Sequence, residues 1–127
     1  MVQSAPGGAK VRVTLVSYQP GVSEPTNDAL TPRVFAITLR LQNLSSKSVM
    51  AHPPTYYSVL RLANTTGAST VAHAKGPCGG AFYATRINLA GHRTAQGCIP
   101  YAYGSSRPVA FVFGFGPKTA AWRVTPG

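Results

Sequence analysis

Acidic side chains are nearly missing from this chain. Glu24 and Asp28 are the only two, set against twelve Lys or Arg, for a formal net charge of +10. That scarcity leaves little room for carboxylate chemistry, because glycoside hydrolysis needs two positioned carboxyl groups. Both acids sit in one Pro-rich stretch, "QPGVSEPTNDALTP", where solvated or capping roles are expected. Charge of either sign is sparse, at 11% of residues, and no two basic residues are adjacent. Without basic runs, nucleic acid is disfavoured as a partner; a duplex held only by scattered cations would be bound without base readout and with steep salt dependence. No apolar run approaches the roughly 18 residues of a membrane-spanning helix. No Gly-rich phosphate cradle occurs either, since "GPCGG" is followed by neither Lys-Ser/Thr nor a helical pattern.

Cysteine is limited to Cys78 and Cys98, twenty positions apart. A redox pair wants Cys-x-x-Cys, which excludes that use. Zinc wants three or four ligands, and His52, His73, His92 and the two acids offer no metal-ligand spacing. A catalytic thiol needs a histidine with an orienting partner, and no acid lies near His73 or His92. The remaining reading is a disulfide, whose closed loop is worth about 3 kcal/mol on the entropic account. Disulfides persist in oxidising compartments, so an exported protein is expected, in the extracellular space or cell envelope. Its signal or lipid anchor would lie outside this chain, because "MVQSAPGGAK" has no signal-peptide layout. Residues 1–9 read as a flexible linker and residues 10–127 as one domain.

What the sequence has in quantity is alternation. In "KVRVTLVSY", Val11, Val13 and Leu15 face one way, and Arg12, Thr14, Val16 and Tyr18 the other, the mark of a half-buried strand. Residues 19–32 form a long turn-rich loop. "RVFAITLRLQN" sets Phe35, Ile37, Leu39 and Leu41 against Val34, Ala36, Thr38 and Arg40. "TYYSVLRLAN" places Leu60 and Leu62 inward and Arg61 outward, and "STVAHA", "FYATRINL" and "GCIPYAY" follow as further strands. Pro100 cannot donate to a ladder, which predicts a bulge or an edge there. "VAFVFGFG" aligns Val109, Phe111, Phe113 and Phe115, and "AAWRV" carries the single Trp. Apolar residues nowhere hold helical spacing through ten positions. The fold class is all-β: seven to nine short strands in a two-sheet antiparallel sandwich.

Several of these segments together resemble a known family. They are "VTLVSY", "VFAITLRLQNLSSKSV", "YSVLRLANTTG", "CGGAF", "INLAGHRTAQGCIPYAY" and the ending "PVAFVFGFG…AAWRV". Over residues 10–125 the chain is similar to the immunoglobulin-like domain of unknown function in secreted proteins and lipoproteins of actinobacteria and related Gram-positive bacteria, a superfamily that includes a secreted mycobacterial antigen. The resemblance implies a β-sandwich outside the cytoplasm and brings no catalytic residues with it. The chain departs from the family in its lack of acids and at Pro100–Ala102.

The expected function is therefore a non-catalytic, exported binding or envelope-interaction module with no cofactor and no metal. Its partner would be a protein or an anionic cell-surface polymer. Two patches are candidates. "HPPTYY" offers His52, Tyr56 and Tyr57 at a loop-to-strand junction, as a sugar or peptide site would; the plainer alternative packs Tyr56 inward and spreads Tyr57 over a sheet face. Arg12, Arg40 and Arg61 are each outward on a strand and would form a stripe for phosphates or carboxylates if their strands share a sheet. The alternative function is a structural subunit or spacer of a surface assembly. Asn43-Leu44-Ser45 and Asn64-Thr65-Thr66 match the glycosylation sequon but read as turn residues.

Overall fold

The computed structural model describes residues 1–23, 33–70, 82–103, 106–116 and 118–124. The described residues form ten strands in chain order: β1 (Val2–Ser4), β2 (Lys10–Ser23), β3 (Arg33–Asn43), β4 (Val49–Ala51), β5 (Ser58–Leu62), β6 (Ser69–Thr70), β7 (Ile87–Leu89), β8 (Thr94–Tyr103), β9 (Pro108–Phe113) and β10 (Ala120–Arg123). All pairings are antiparallel. One sheet has the order β1-β2-β3-β8-β6, a second β10-β9-β5, and β4 pairs with β7 alone.

Alternation in β2 and β3 drives the layering. Val11, Val13, Phe35, Ile37, Leu39 and Leu41 all turn to one side and are buried. Leu60, Phe111 and Phe113 of the second sheet close over them in the same apolar cluster. The Tyr101 and Phe111 rings meet edge-on between the sheets, with centroids 6.2 Å apart. The result is an all-β, sandwich-like fold, as the alternation predicts. Removing this much apolar surface from water is its main driving force.

Several local expectations are corrected. The stretch read as a flexible linker holds β1, which pairs with β2 in the register Val2↔Arg12. Ala5 and Ala9 are buried in the core, so packed chain extends ahead of residue 10. Buried Gln3 explains the docking: its Nε2 donates to the Phe113 carbonyl at 2.9 Å, and its Oε1 accepts from the Phe115 N–H at 3.0 Å. A side-chain amide thus continues the pairing that a backbone would otherwise supply.

Strand β2 runs on through Ser23, into the segment read as a loop, with register shifts at Leu15/Ser17 and Gln19/Val22. The second shift brackets Pro20, whose missing N–H suits a bulge. The first reverses the facing of the strand, so Tyr18, expected beside Arg12, pairs with Ile37 and stacks on Phe35 at 5.6 Å. Residues 24–32 of the expected loop, with Glu24 and Asp28, lie outside the described residues.

Residues 55–57 do not extend β5; Pro54–Tyr57 form a 3₁₀ turn with proline in its first turn. Phe82–Ala84 form another, leaving only Ile87–Leu89 as strand in "FYATRINL". At Pro100 the β3–β8 register is regular, so no bulge forms. The other side of β8 meets β6 only at Tyr101 and Ala102, leaving an edge at the proline among the described residues.

Asn43 holds the place where the layers part. It is 1% exposed. Its Nδ2 donates to the carbonyls of Lys47, Leu89 and Ala90 at 2.6, 3.2 and 3.2 Å. Its Oδ1 accepts from the Ser45 N–H and Oγ–H at 3.0 and 2.9 Å. One amide thereby ties the end of β3 to the turn after β7. The other sequon forms a turn of its own, with Asn64 Oδ1 accepting from the Thr66 N–H at 3.2 Å and Thr65 at a φ of 69°.

Candidate binding surface

The three arginines of the expected stripe fall on two sheets. Arg12 and Arg40 share the outer face of the larger sheet, where β2 and β3 pair as Arg12↔Gln42 and Thr14↔Arg40. Arg61 does not join them, because β5 pairs with β9 and not with β2 or β3. The sequence shows that each strand is amphipathic but not which strands pair, and only the pairing places a side chain in a stripe.

On the larger sheet the cations have neutral hydrogen-bond partners. Arg12 Nη1 donates to Gln42 Oε1 at 3.4 Å, Arg40 Nε to Gln96 Oε1 at 2.9 Å, and Lys10 Nζ to Ser4 Oγ at 2.6 Å. A glutamine orients a guanidinium without cancelling its charge, so the field of this face stays positive.

Arg61 has a different companion, Arg123 of β10, which sequence reasoning missed. Across the second sheet the register aligns Arg61, Ala110 and Arg123 in one row and Val59, Val112 and Ala121 in the next. Both arginines are exposed, and neither side chain has a hydrogen bond or ion pair among the described residues. Two strand spacings separate them, about 9–10 Å, with alanine between. The face is thus flat, small-residued and flanked by two free guanidinium groups. "AAWRV" carried the signal for Arg123, since Trp122 points inward onto Phe111 at 5.9 Å and its neighbour must then point out.

His52, Tyr56 and Tyr57 do come together. His52 stacks on Tyr56 with centroids 4.1 Å apart and planes 20° off parallel. Tyr56 meets Tyr57 edge-on at 5.1 Å and remains 68% exposed. Tyr57 is the anchored member: its ring packs on Phe115 at 4.8 Å and Phe113 at 6.0 Å, and its hydroxyl accepts from the His52 N–H at 3.1 Å. The inward Tyr56 of the plainer alternative is corrected, because the 3₁₀ turn after Pro53 swings that ring outward and gives the inner position to Tyr57.

Among the described residues no group of three His, Cys, Asp or Glu could hold a metal ion. None of the described cysteines is free. Cys78 and His73 lie outside the described residues. No described helix is long and apolar enough to cross a membrane.

A solved structure shares this architecture: a secreted protein of Mycobacterium tuberculosis, MPT63, superposes with a TM-score of 0.67 at 11% identity, over 98% of this chain and 91% of that one. At that identity the likeness establishes the fold. No family model matches the sequence, and no curated protein matches it.

Proposed function

We propose that this protein is a non-catalytic, exported recognition module of the cell envelope that holds an anionic polymer against its cationic sheet faces. The observation that carries the reading is an imbalance. The sequence sets two carboxylate side chains, Glu24 and Asp28, against twelve Lys or Arg, too few to give most of the cations an acidic side chain of their own. A surface of scattered cations without local counter-charges attracts polyanions over a Debye length and orients them weakly. The exposed His52–Tyr56 stack adds an aromatic platform suited to sugar rings or peptide side chains.

Export rests on the cysteines. None of the described cysteines is free, and Cys78 is the only cysteine in the sequence besides Cys98, which supports a Cys78–Cys98 bridge in an immunoglobulin-like sandwich. The secreted character of MPT63 agrees with that reading.

The test is a salt titration of binding to fluorescent polyphosphate, with neutral dextran as control. Saturable polyphosphate binding that weakens linearly on a log–log salt plot is expected, and Arg61→Gln with Arg123→Gln should lower the slope by about two. Equal binding to both polymers, or none to either, refutes the reading. Thiol labelling of unreduced protein checks the bridge separately.

A further inference from the structure

A cavity of about 270 Å³ opens where the layers separate beyond Asn43. The β3–β8 layer contributes Leu41 and Ala95, and β7 contributes Ile87 and Leu89. Phe82 and Pro54, each from a 3₁₀ turn, complete the apolar wall. The cause is geometric. The turn at 90–93 sends β7 away to pair with β4, while β8 stays with β3. The inner faces therefore diverge, and no described side chain fills the wedge between them.

One charged residue lines this cavity, Arg86. It is exposed, and it makes no hydrogen bond or ion pair with any described residue. An apolar slot with a single unpaired guanidinium is complementary to a chain that is hydrocarbon along its length and anionic at one end. Small-molecule sites have this make-up, an apolar lining with a few polar groups that set orientation. A guanidinium recognises a carboxylate or phosphate head through paired N–H donors.

We propose that this cavity binds a small anionic amphiphile, with its alkyl chain between Leu41, Ile87, Leu89 and Phe82 and its head on Arg86. The site is separate from the cationic sheet faces and needs no polymer. Its size admits a medium-length chain and excludes a complete diacyl lipid.

Calorimetric titration with decanoate and with decanol, both below their aggregation concentrations, tests the assignment. The full chain should bind both saturably, with decanoate the tighter. Arg86→Gln should weaken decanoate about tenfold and leave decanol within about twofold, since only the charged head meets the guanidinium. Ala95→Phe, checked for native near-ultraviolet circular dichroism, should abolish both by filling the wedge. The proposal is overturned by no saturable binding of either compound, by equal effects of Arg86→Gln on the two, or by retained binding in folded Ala95→Phe. Should Ala95→Phe fail to fold, the decanoate–decanol contrast in Arg86→Gln decides alone.

Discussion

The Tyr101 hydroxyl of β8 donates to Ser58 Oγ of β5 at 2.9 Å, and Ser58 Oγ donates onward to the Pro54 carbonyl at the same distance. This buried relay crosses the sandwich from one sheet to the other. Burial pushes the Tyr101 phenol up to about 12 from 10.0, against a smaller lowering by Ser58. A folded-state value above the unfolded one means that the contribution is complete below about pH 10 and is lost as pH rises to 12. Two units correspond to roughly 2–3 kcal/mol. Denaturant titrations between pH 9 and 12 should show that decline, and Tyr101→Phe should flatten it. At neutral pH the same substitution should cost only about 1 kcal/mol, because Ser58 keeps its bond to Pro54.

Asn43→Ala should be among the most destabilising single substitutions outside the apolar core. It removes the side-chain partner of the Leu89 carbonyl and of the Ser45 N–H, at roughly 1–3 kcal/mol for each group left dry, while the Ala90 carbonyl keeps the Arg93 N–H. Asn43→Asp should be nearly as harmful, since a carboxylate facing three carbonyls has no proton to give. Chemical denaturation of both variants checks this, and an Asp variant as stable as the parent would contradict the hydrogen-bond assignment.

Two glycines separate a rigid clash from a yielding one. A Cβ at Gly91 would stand 2.5 Å from the Ser46 carbonyl oxygen, which is backbone held beside the Asn43 hub. A Cβ at Gly97 would overlap both Cγ and Cβ of Phe82, which no rotamer change relieves, so the short 3₁₀ turn at Phe82–Ala84 has to shift away from β8. Gly91→Ala should therefore cost more stability than Gly97→Ala. Gly97→Ala should instead show its effect in the Phe82 ring signals by NMR.

Alternation made the core faces of β2, β3, β5 and β9 legible, because a half-buried strand repeats every two residues. The same rule failed at Tyr18, where a register shift flips the facing and leaves no compositional mark. It failed again at Gln3, whose polar side chain reads as solvated until its two backbone partners are in view. Arg61 and Arg123 stand 62 positions apart in sequence. Their row exists only because β9 lies between β5 and β10, and no local pattern encodes that pairing. The amphiphile cavity was illegible for a related reason, since it is a gap between elements and not a property of any one of them.

Strand β1 gives a direct test of where the folded chain begins. Gln3→Ala removes the acceptor for the Phe115 N–H and the donor for the Phe113 carbonyl, and should destabilise by about 1–3 kcal/mol. Amide exchange should accelerate in β1 and along the β2 edge that it covers, leaving β8 protected. A linker would show neither effect, so unchanged stability and exchange would restore that reading.

The two tyrosines beside His52 should separate stability from recognition. Tyr56 presents most of its surface to water, and its ring meets the rings of His52 and Tyr57, so Tyr56→Ala should change stability by less than about 0.5 kcal/mol. Tyr57 packs on Phe113 and Phe115 and fixes the His52 backbone, so Tyr57→Ala should cost several times more, roughly 2–4 kcal/mol. Tyr57→Phe isolates the hydroxyl and should cost about 1 kcal/mol. An aromatic ring kept exposed at the end of an anchored stack has no packing role to explain it. If the stack serves recognition, Tyr56→Ala should weaken binding of a sugar-containing polyanion at unchanged stability and leave binding of sugar-free polyphosphate intact. Equal losses for both polymers would assign the ring to general surface adhesion, and no loss for either would remove it from the binding surface.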